Sequence, residues 1–297
     1  MSVVSEDPRL RNLGDDRPRV TRGRLGAFGA WPALISVGVL LTFVVVAAAG
    51  PFISPYDPNA LSGLPFEPPS RAHWFGTDDL GRDQLSRCIS AARIAVIVAV
   101  CSVALGLIGG TLLGVMAGYR RGWTDATLMR VVDVKFAFPD LVLALVIMAA
   151  LGPGLATAIL AISFVYIPRF ARLARTATRT VESSSYVEAA RLAGVRTPRI
   201  MTRHVLRNIS APLIVMTALS IGTAQLAYAA LAFLGFGARP PQADYGTMLA
   251  VGRAYMTFDV WIIVFPALCL VAFTVAASLA GDAVRDTVDP RSTWTPG

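Results

Sequence analysis

Five stretches without a charged residue constrain this chain most: 25–56, 94–119, 141–168, 209–238 and 260–281. A helix crosses the hydrocarbon of a bilayer with about 20 apolar residues, and each stretch is at least that long. Composition points the same way. Of 297 residues, 15% are charged and 55% hydrophobic, with mean hydropathy +0.59, whereas a soluble domain carries about 25% charged residues. The numbers exclude an ordinary globular protein and a disordered chain. Three cysteines do not make a disulfide scaffold. Cys101 and Cys269 lie in apolar runs and Cys88 outside them, with no metal-type spacing, so they read as packing residues. The chain reads as an all-α polytopic membrane protein.

The run 141–168 is interrupted by Gly152-Pro153-Gly154, a turn signal. It reads as one long span or as a hairpin of two, and charge decides between them. With the turn there are six spans and both termini share a face. On that face 1–30, 119–137, 169–208 and 282–297 carry 6, 4, 9 and 2 Lys and Arg, 21 in all. The other face, 51–93 and 235–259, carries Arg71, Arg82, Arg87, Arg93, Arg239 and Arg253. Without the turn, the nine-arginine segment would lie outside. The positive-inside rule selects six helices with both termini cytoplasmic. The third span then begins near Val131, with Asp133 and Lys135 reaching back to the interface. On this reading the net charge of +8, from 26 Arg and Lys135, is topogenic, and no nucleic-acid partner is expected.

The chain divides accordingly. Residues 1–30 read as a cytoplasmic arm and 31–50 as an uncleaved first helix. Residues 51–93 form a proline-rich external loop too short for its own core. Residues 94–281 are a five-helix core, and 282–297 a cytoplasmic tail. In the second span Gly106, Gly110, Gly114 and Gly118 recur every four residues and line one stripe of a helix. Another helix can approach closely along such a stripe. Packing inside the chain is the favoured reading over a contact between subunits.

The segment 183–200 is the most informative. Ser185 and Glu188 match the S-x-x-E capping box, so a helix should start there. Ala189, Ala190, Leu192 and Ala193 propagate it, and Gly194 supplies the left-handed residue that ends it. Thr197 then Pro198 fit an N-cap and first helical position. Tyr186, Val187, Ala190 and Leu192 give the short helix apolar surface. It either lies on the membrane or is presented to a cytoplasmic partner.

Glu188-Ala189-Ala190, with Gly194 after three further residues, resembles the EAA motif of binding-protein-dependent ABC importer permeases. Residues 76–83, Gly76-Thr77-Asp78-Asp79-Leu80-Gly81-Arg82-Asp83, are similar to the GTD-x-LGRD signature of the dipeptide/oligopeptide/nickel branch, in the second permease of the pair. Phe233-Leu234-Gly235-Phe236-Gly237, Pro240-Pro241, Gly281-Asp282, Arg285-Asp286 and Asp289-Pro290-Arg291 resemble that branch as well. Asp244-Tyr245-Gly246 stands where a Trp-Gly pair is common, and Ala232 where Ser is common. The resemblance spans roughly 31–291.

It implies a type I ABC importer permease fold in a bacterial cell membrane. It also implies a coupling helix at about 185–195 in which Ser185, Tyr186, Glu188, Ala189, Ala190, Leu192 and Gly194 meet an ATPase. The implied partners are a homologous second permease, two cytoplasmic ATPase subunits and an extracytoplasmic solute-binding protein, around a chain embedded in lipid. The solute would be a di- or oligopeptide or a related small molecule.

The chain has no nucleotide site of its own. Its single lysine, Lys135, lies in Val-Asp-Val-Lys-Phe without a glycine-rich loop, so no P-loop exists. ATP and Mg belong to the partner subunits, and no cofactor or metal is expected here. Asp78, Asp79 and Asp83 do not follow EF-hand spacing. Thr77 or Asp83 is expected to cap the second span and Arg82 to pair locally. Gln225 and Tyr228 are candidates to line the solute path, with helix–helix hydrogen bonding the alternative. His73 and His204 have no triad partners, so no catalytic constellation is read. The rival is an ion-coupled transporter working without ATPases. It needs intramembrane carboxylates, for which Asp140, beside Pro139 near a span end, is a poor candidate.

Overall fold

The apolar runs become helices, and their ends are set by caps and turns. The structure, a computed structural model, describes residues 30–120 and 122–288. The arm before Ala30, and Asp289-Pro290-Arg291 with the rest of the tail, lie outside the described residues. Among the described residues the chain is helical apart from loops and one isolated bridge between Thr77 and Asp83.

Helix α1 covers Ala30–Ile53 and α2 Gln84–Arg120. At 37 residues, α2 is about 55 Å long, nearly twice the hydrocarbon thickness. It takes in Gln84 to Arg93, which the charge pattern alone places in the external loop. Those residues are polar yet helical because Asp83 caps the helix. Asp83 accepts from the Ser86 amide at 2.8 Å and the Ser86 hydroxyl at 2.7 Å, satisfying one of the open donors of the first turn.

The third span is broken rather than straight. Helix α3 covers Gly122–Phe136 and α4 covers Asp140–Leu151, bent by 92° to each other. Pro139 sits at the N-cap of α4. It brings no amide proton to continue a helix from α3, and it disfavours helical geometry at Phe138. The single helix from near Val131 does not form: Pro139 permits the break, and the bend comes where Lys135 and Arg169 converge on Asp140. Gly152 and Gly154, both at positive φ, make the expected turn into α5, Leu155–Glu182.

Helix α6, Ser185–Leu192, follows, then α7, Thr197–Arg199. A π-helical segment, Ile200–Val205, joins α7 to α8, Leu206–Leu231, and Ala232–Phe236 continues it. Helices α9, Tyr245–Tyr255, and α10, Trp261–Val288, complete the described chain. Among the described residues five helices are long and apolar enough to cross a membrane, or six if the bent α3–α4 pair is counted as one span. The segment 235–259, read as loop, holds α9. Asp244 caps it, accepting from the Thr247 amide at 2.9 Å. The Tyr245 hydroxyl donates to the Cys88 carbonyl at 3.1 Å, pinning α9 to α2.

The centre of the molecule is the α2–α5 pair, and the glycine stripe is what brings them together. A Cβ on Gly106 would come within 2.7 Å of Tyr166 Cβ, and on Gly110 within 2.5 Å of Phe170 Cβ. On Gly114 it would lie 2.7 Å from Ala174 Cβ, and on Gly118 2.8 Å from Thr178 Cβ. All four glycines thus face α5 of the same chain, and small residues let the backbones close. Helix α8 packs against α10, while α1 lies outside α2 and α10. Much of the outward surface is apolar, as at Leu34, Leu41, Leu112 and Val271, which fits hydrocarbon as the solvent.

Candidate coupling site

The short helix α6 begins one residue earlier in its capping register than the S-x-x-E spacing implied. Its N-cap is Ser184 and no side chain caps it. The Ser184 hydroxyl donates back to the Val181 carbonyl instead. Ser185 is therefore the first helical residue and Glu188 the fourth, so the reciprocal box does not close. Three consecutive serines left that register open. Thr197 is likewise inside its helix, with Arg196 at the N-cap.

The other end is firmly built. Gly194 takes φ +74°. Its amide donates to the Arg191 carbonyl at 3.0 Å, and the Val195 amide to the Ala190 carbonyl at 3.1 Å. This pair of bonds is the Schellman closure, and it satisfies two of the last carbonyls of α6. A Cβ at Gly194 would meet nothing within 4 Å, so backbone conformation, not space, requires glycine there.

One side of α6 is anchored. Val187 is fully buried in the main core cluster, and Ala190 packs at its edge. Arg191 donates to Glu182 at 2.6 Å and to the Tyr119 hydroxyl at 3.3 Å. It thus ties α6 to the ends of α5 and α2. The opposite side is open. Ser185, Glu188, Ala189 and Leu192 are all exposed, at the i, i+3, i+4, i+7 spacing of one helical stripe. Leu192 is 85% exposed. Tyr186 is exposed beside it and leans toward His204, ring centroids 6.4 Å apart. The site is therefore a rigid rod with a small, partly apolar outer face carrying one carboxylate.

Sequence reasoning missed the ion pairs that brace the same end. Arg172 pairs with Asp133, and Arg175 and Arg179 both pair with Asp125. These arginines, assigned to a loop in the charge argument, belong to α5 and lock it to α3. The three- and four-residue spacing of Arg172, Arg175 and Arg179 was the available signal.

The 76–83 loop, at the start of α2, is closed on itself. Gly76 and Gly81 take positive φ. The Thr77 hydroxyl donates to the Leu64 carbonyl at 2.6 Å and accepts from the Glu67 amide at 2.8 Å. Asp78 accepts from the Leu80 and Arg82 amides and from Arg82 Nε at 2.7 Å, with Arg87 Nε at 3.2 Å. Asp83, besides capping α2, pairs with His73 Nδ1 at 2.9 Å. Burial, with Asp78 adjacent, pushes the Asp79 carboxyl above its ordinary range. Among the described residues no three His, Cys, Asp or Glu side chains are grouped to hold a metal ion.

Gln225 and Tyr228 are 1% and 0% exposed. Both lie on the buried side of α8, so neither offers surface to a passing solute in this conformation.

Residues 110–294 match the family model described as binding-protein-dependent transport system inner membrane component. A putative peptide transport system permease of Brucella suis is 42% identical over 258 residues, covering 86% of this chain and 87% of that protein. A di/tripeptide transport system permease of Pseudomonas aeruginosa is 42% identical, covering 85% and 86%. A glutathione transport system permease of Pectobacterium atrosepticum is 37% identical, covering 85% and 84%. Among solved structures, inward-facing forms of the MetNI methionine ABC transporter superpose with TM-scores of 0.55 and 0.56. In the first, identity is 17%, and 68% of this chain and 96% of the other are covered. That likeness is one of fold.

Proposed function

The chain belongs to the binding-protein-dependent transport system inner membrane components, and from that premise we propose that it is one permease subunit of an ATP-driven peptide importer. It pairs with a homologous permease, two ATPases and an extracytoplasmic solute-binding protein in a bacterial cell membrane. Both termini and α6 face the cytoplasm, and 76–83 faces outside. The peptide assignment leans on what the relatives from Brucella and Pseudomonas are named for. The chain itself is not catalytic, and nucleotide and Mg bind the ATPases. Its one lysine is engaged with Asp140, which leaves none for a phosphate.

The observation that carries the reading is α6. It is sunk into the core by Val187, closed by Gly194 and tied by Arg191, with Ser185, Glu188, Ala189 and Leu192 left facing outward. Moving a two-state transporter from 1:99 to 99:1 takes about 5.5 kcal/mol of differential binding. A small contact can deliver that only if it does not yield. ATPase closure pushes α6, and α6 moves α5 and α8 with it. The test is site-directed cross-linking. A cysteine at Leu192 should couple to the ATPase subunit in the purified importer, with a yield that changes on ATP binding. Cross-linking to nothing but lipid-phase reagents would end the proposal.

A further inference from the structure

A second cluster of charge lies where α3, α4 and α5 meet. Lys135 Nζ and Arg169 both donate to the Asp140 carboxylate, one to each oxygen. Its depth follows from helix length. Helix α4 runs 12 residues from Asp140 to the glycine turn, about 18 Å at 1.5 Å per residue. Arg169 lies 14 residues into α5, about 21 Å from the same turn. The cluster therefore lies well along both helices from the glycine turn, at more than half of about 30 Å of hydrocarbon, one turn short of the Arg172–Asp133 pair at the end that bears α6.

The cluster is not sealed. Lys135 is buried, but the Asp140 and Arg169 side chains are 35% and 39% exposed. Ionised groups carried on spanning helices face protein or water-filled cavities rather than lipid. The exposed side opens into a groove of about 310 Å³ between α4, α5 and α8. Its polar groups are Asp140, Arg169, Tyr166 and Thr223, and Leu141 and Leu226 form apolar walls. The Tyr166 hydroxyl and Thr223 Oγ1 are 2.8 Å apart, and Thr223 is exposed. Arg169 lies over the Tyr166 ring at 5.3 Å, which holds the guanidinium at the groove.

Charge decides what such a groove takes. Two cations share one carboxylate, leaving one net positive charge. Both Asp140 oxygens are occupied, while a guanidinium has five N–H donors and Arg169 gives Asp140 one bond. The remaining donors suit a planar anionic oxygen pair, which is the geometry of a carboxylate.

The geometry points to the α4–α5–α8 groove as part of the solute path, with Arg169 a specificity-determining residue that binds the free carboxylate of a passing peptide. Asp140 and Lys135 are positioning residues for it, acting through the guanidinium. The carboxylate assignment rests on the peptide-importer reading; the open, anion-favouring groove does not.

Two experiments separate those parts. The first uses the chain with Cys88, Cys101 and Cys269 replaced by Ala and with Thr223→Cys, in permeabilised membrane vesicles. The expected result is modification by both sulfonatoethyl and trimethylammonioethyl methanethiosulfonate. The anionic reagent should be favoured about threefold relative to a free thiol, and Arg169→Gln should abolish the preference. A thiol inert to both charged reagents, or a preference unchanged by Arg169→Gln, overturns the groove assignment. The second measures uptake by the intact importer of a dipeptide and its C-terminal amide. Arg169→Gln should raise KM about tenfold for the free acid and little for the amide, with Arg169→Lys recovering part of the loss. Equal losses for both peptides mark Arg169 as structural and overturn the specificity role. A wild-type importer that takes up neither peptide refutes the peptide reading, and the labelling result still decides the groove.

Discussion

The 76–83 loop and α6 are both motif-bearing segments at helix ends, and both use a glycine at positive φ. They differ in where their polar groups go. In the loop, Thr77, Asp78 and Asp83 spend their hydrogen bonds on neighbours within residues 60–90. In α6, one side is anchored by Val187 and Arg191, and the outer stripe is exposed. A motif that closes on itself specifies structure. One that is anchored while its outer face stays open leaves that face free for the partner proposed above. Similar-looking sequence signatures therefore carry different physical meanings.

The comparison breaks or sharpens under substitution. The largest effect on the protein itself is expected for Asp83→Ala. It removes the cap of α2, worth about 1 kcal/mol, and leaves the buried His73 unpaired at about 1–3 kcal/mol. The thermal midpoint in detergent should fall by several degrees, and uptake should be lost with it. A normal midpoint would mean the loop is not scaffold. Leu192→Asp should do the reverse. Its side chain is exposed, so the midpoint should stay within the small range typical of surface changes, while uptake drops at least tenfold. If uptake survives, the outer stripe of α6 is not the docking face.

Gly194→Val should sit between these two. Forcing a β-branched residue to φ +74° costs about 1–2 kcal/mol, spent locally on the end of α6. A modest fall in uptake with near-normal insertion is expected, read by ATP hydrolysis that continues with less transport per turnover. The smallest effect is expected for Arg191→Ala. Its side chain is 41% exposed against 8% for Glu182, and a pair with its cation in water contributes about 0.2–1 kcal/mol. Transport should fall less than threefold, and a collapse would show that the tie to Glu182 and Tyr119 carries the push.

Several features could be read from residue order alone because they depend on local spacing. The glycines every four residues of α2 face a neighbour whichever helix that is. The Glu188-to-Gly194 spacing set the length of α6. The capping register at Ser183-Ser184-Ser185 was not legible, since three equivalent hydroxyls compete for one role. The arginines of α5 were misplaced for a related reason. A charge count records sign but not partner, and Asp125 and Asp133 lie tens of residues away in sequence.

The prolines show the division most clearly. Pro51, Pro168, Pro212 and Pro266 all sit inside helices that continue, whereas the span containing Pro139 breaks by 92°. The residue type is the same, so propensity does not choose among them. At Pro139 the chain turns where Lys135 and Arg169 converge on Asp140, an arrangement that exists only once α5 is packed in place. The sequence by itself determined that the chain is built of helices long and apolar enough to cross a membrane, and where a short helix lies between two of them. Those outcomes follow from hydrocarbon thickness and helical period, which act on neighbouring residues. Tertiary structure decided which span breaks, which polar side chains are buried and which charges find each other, because those energies belong to contacts between segments far apart along the chain.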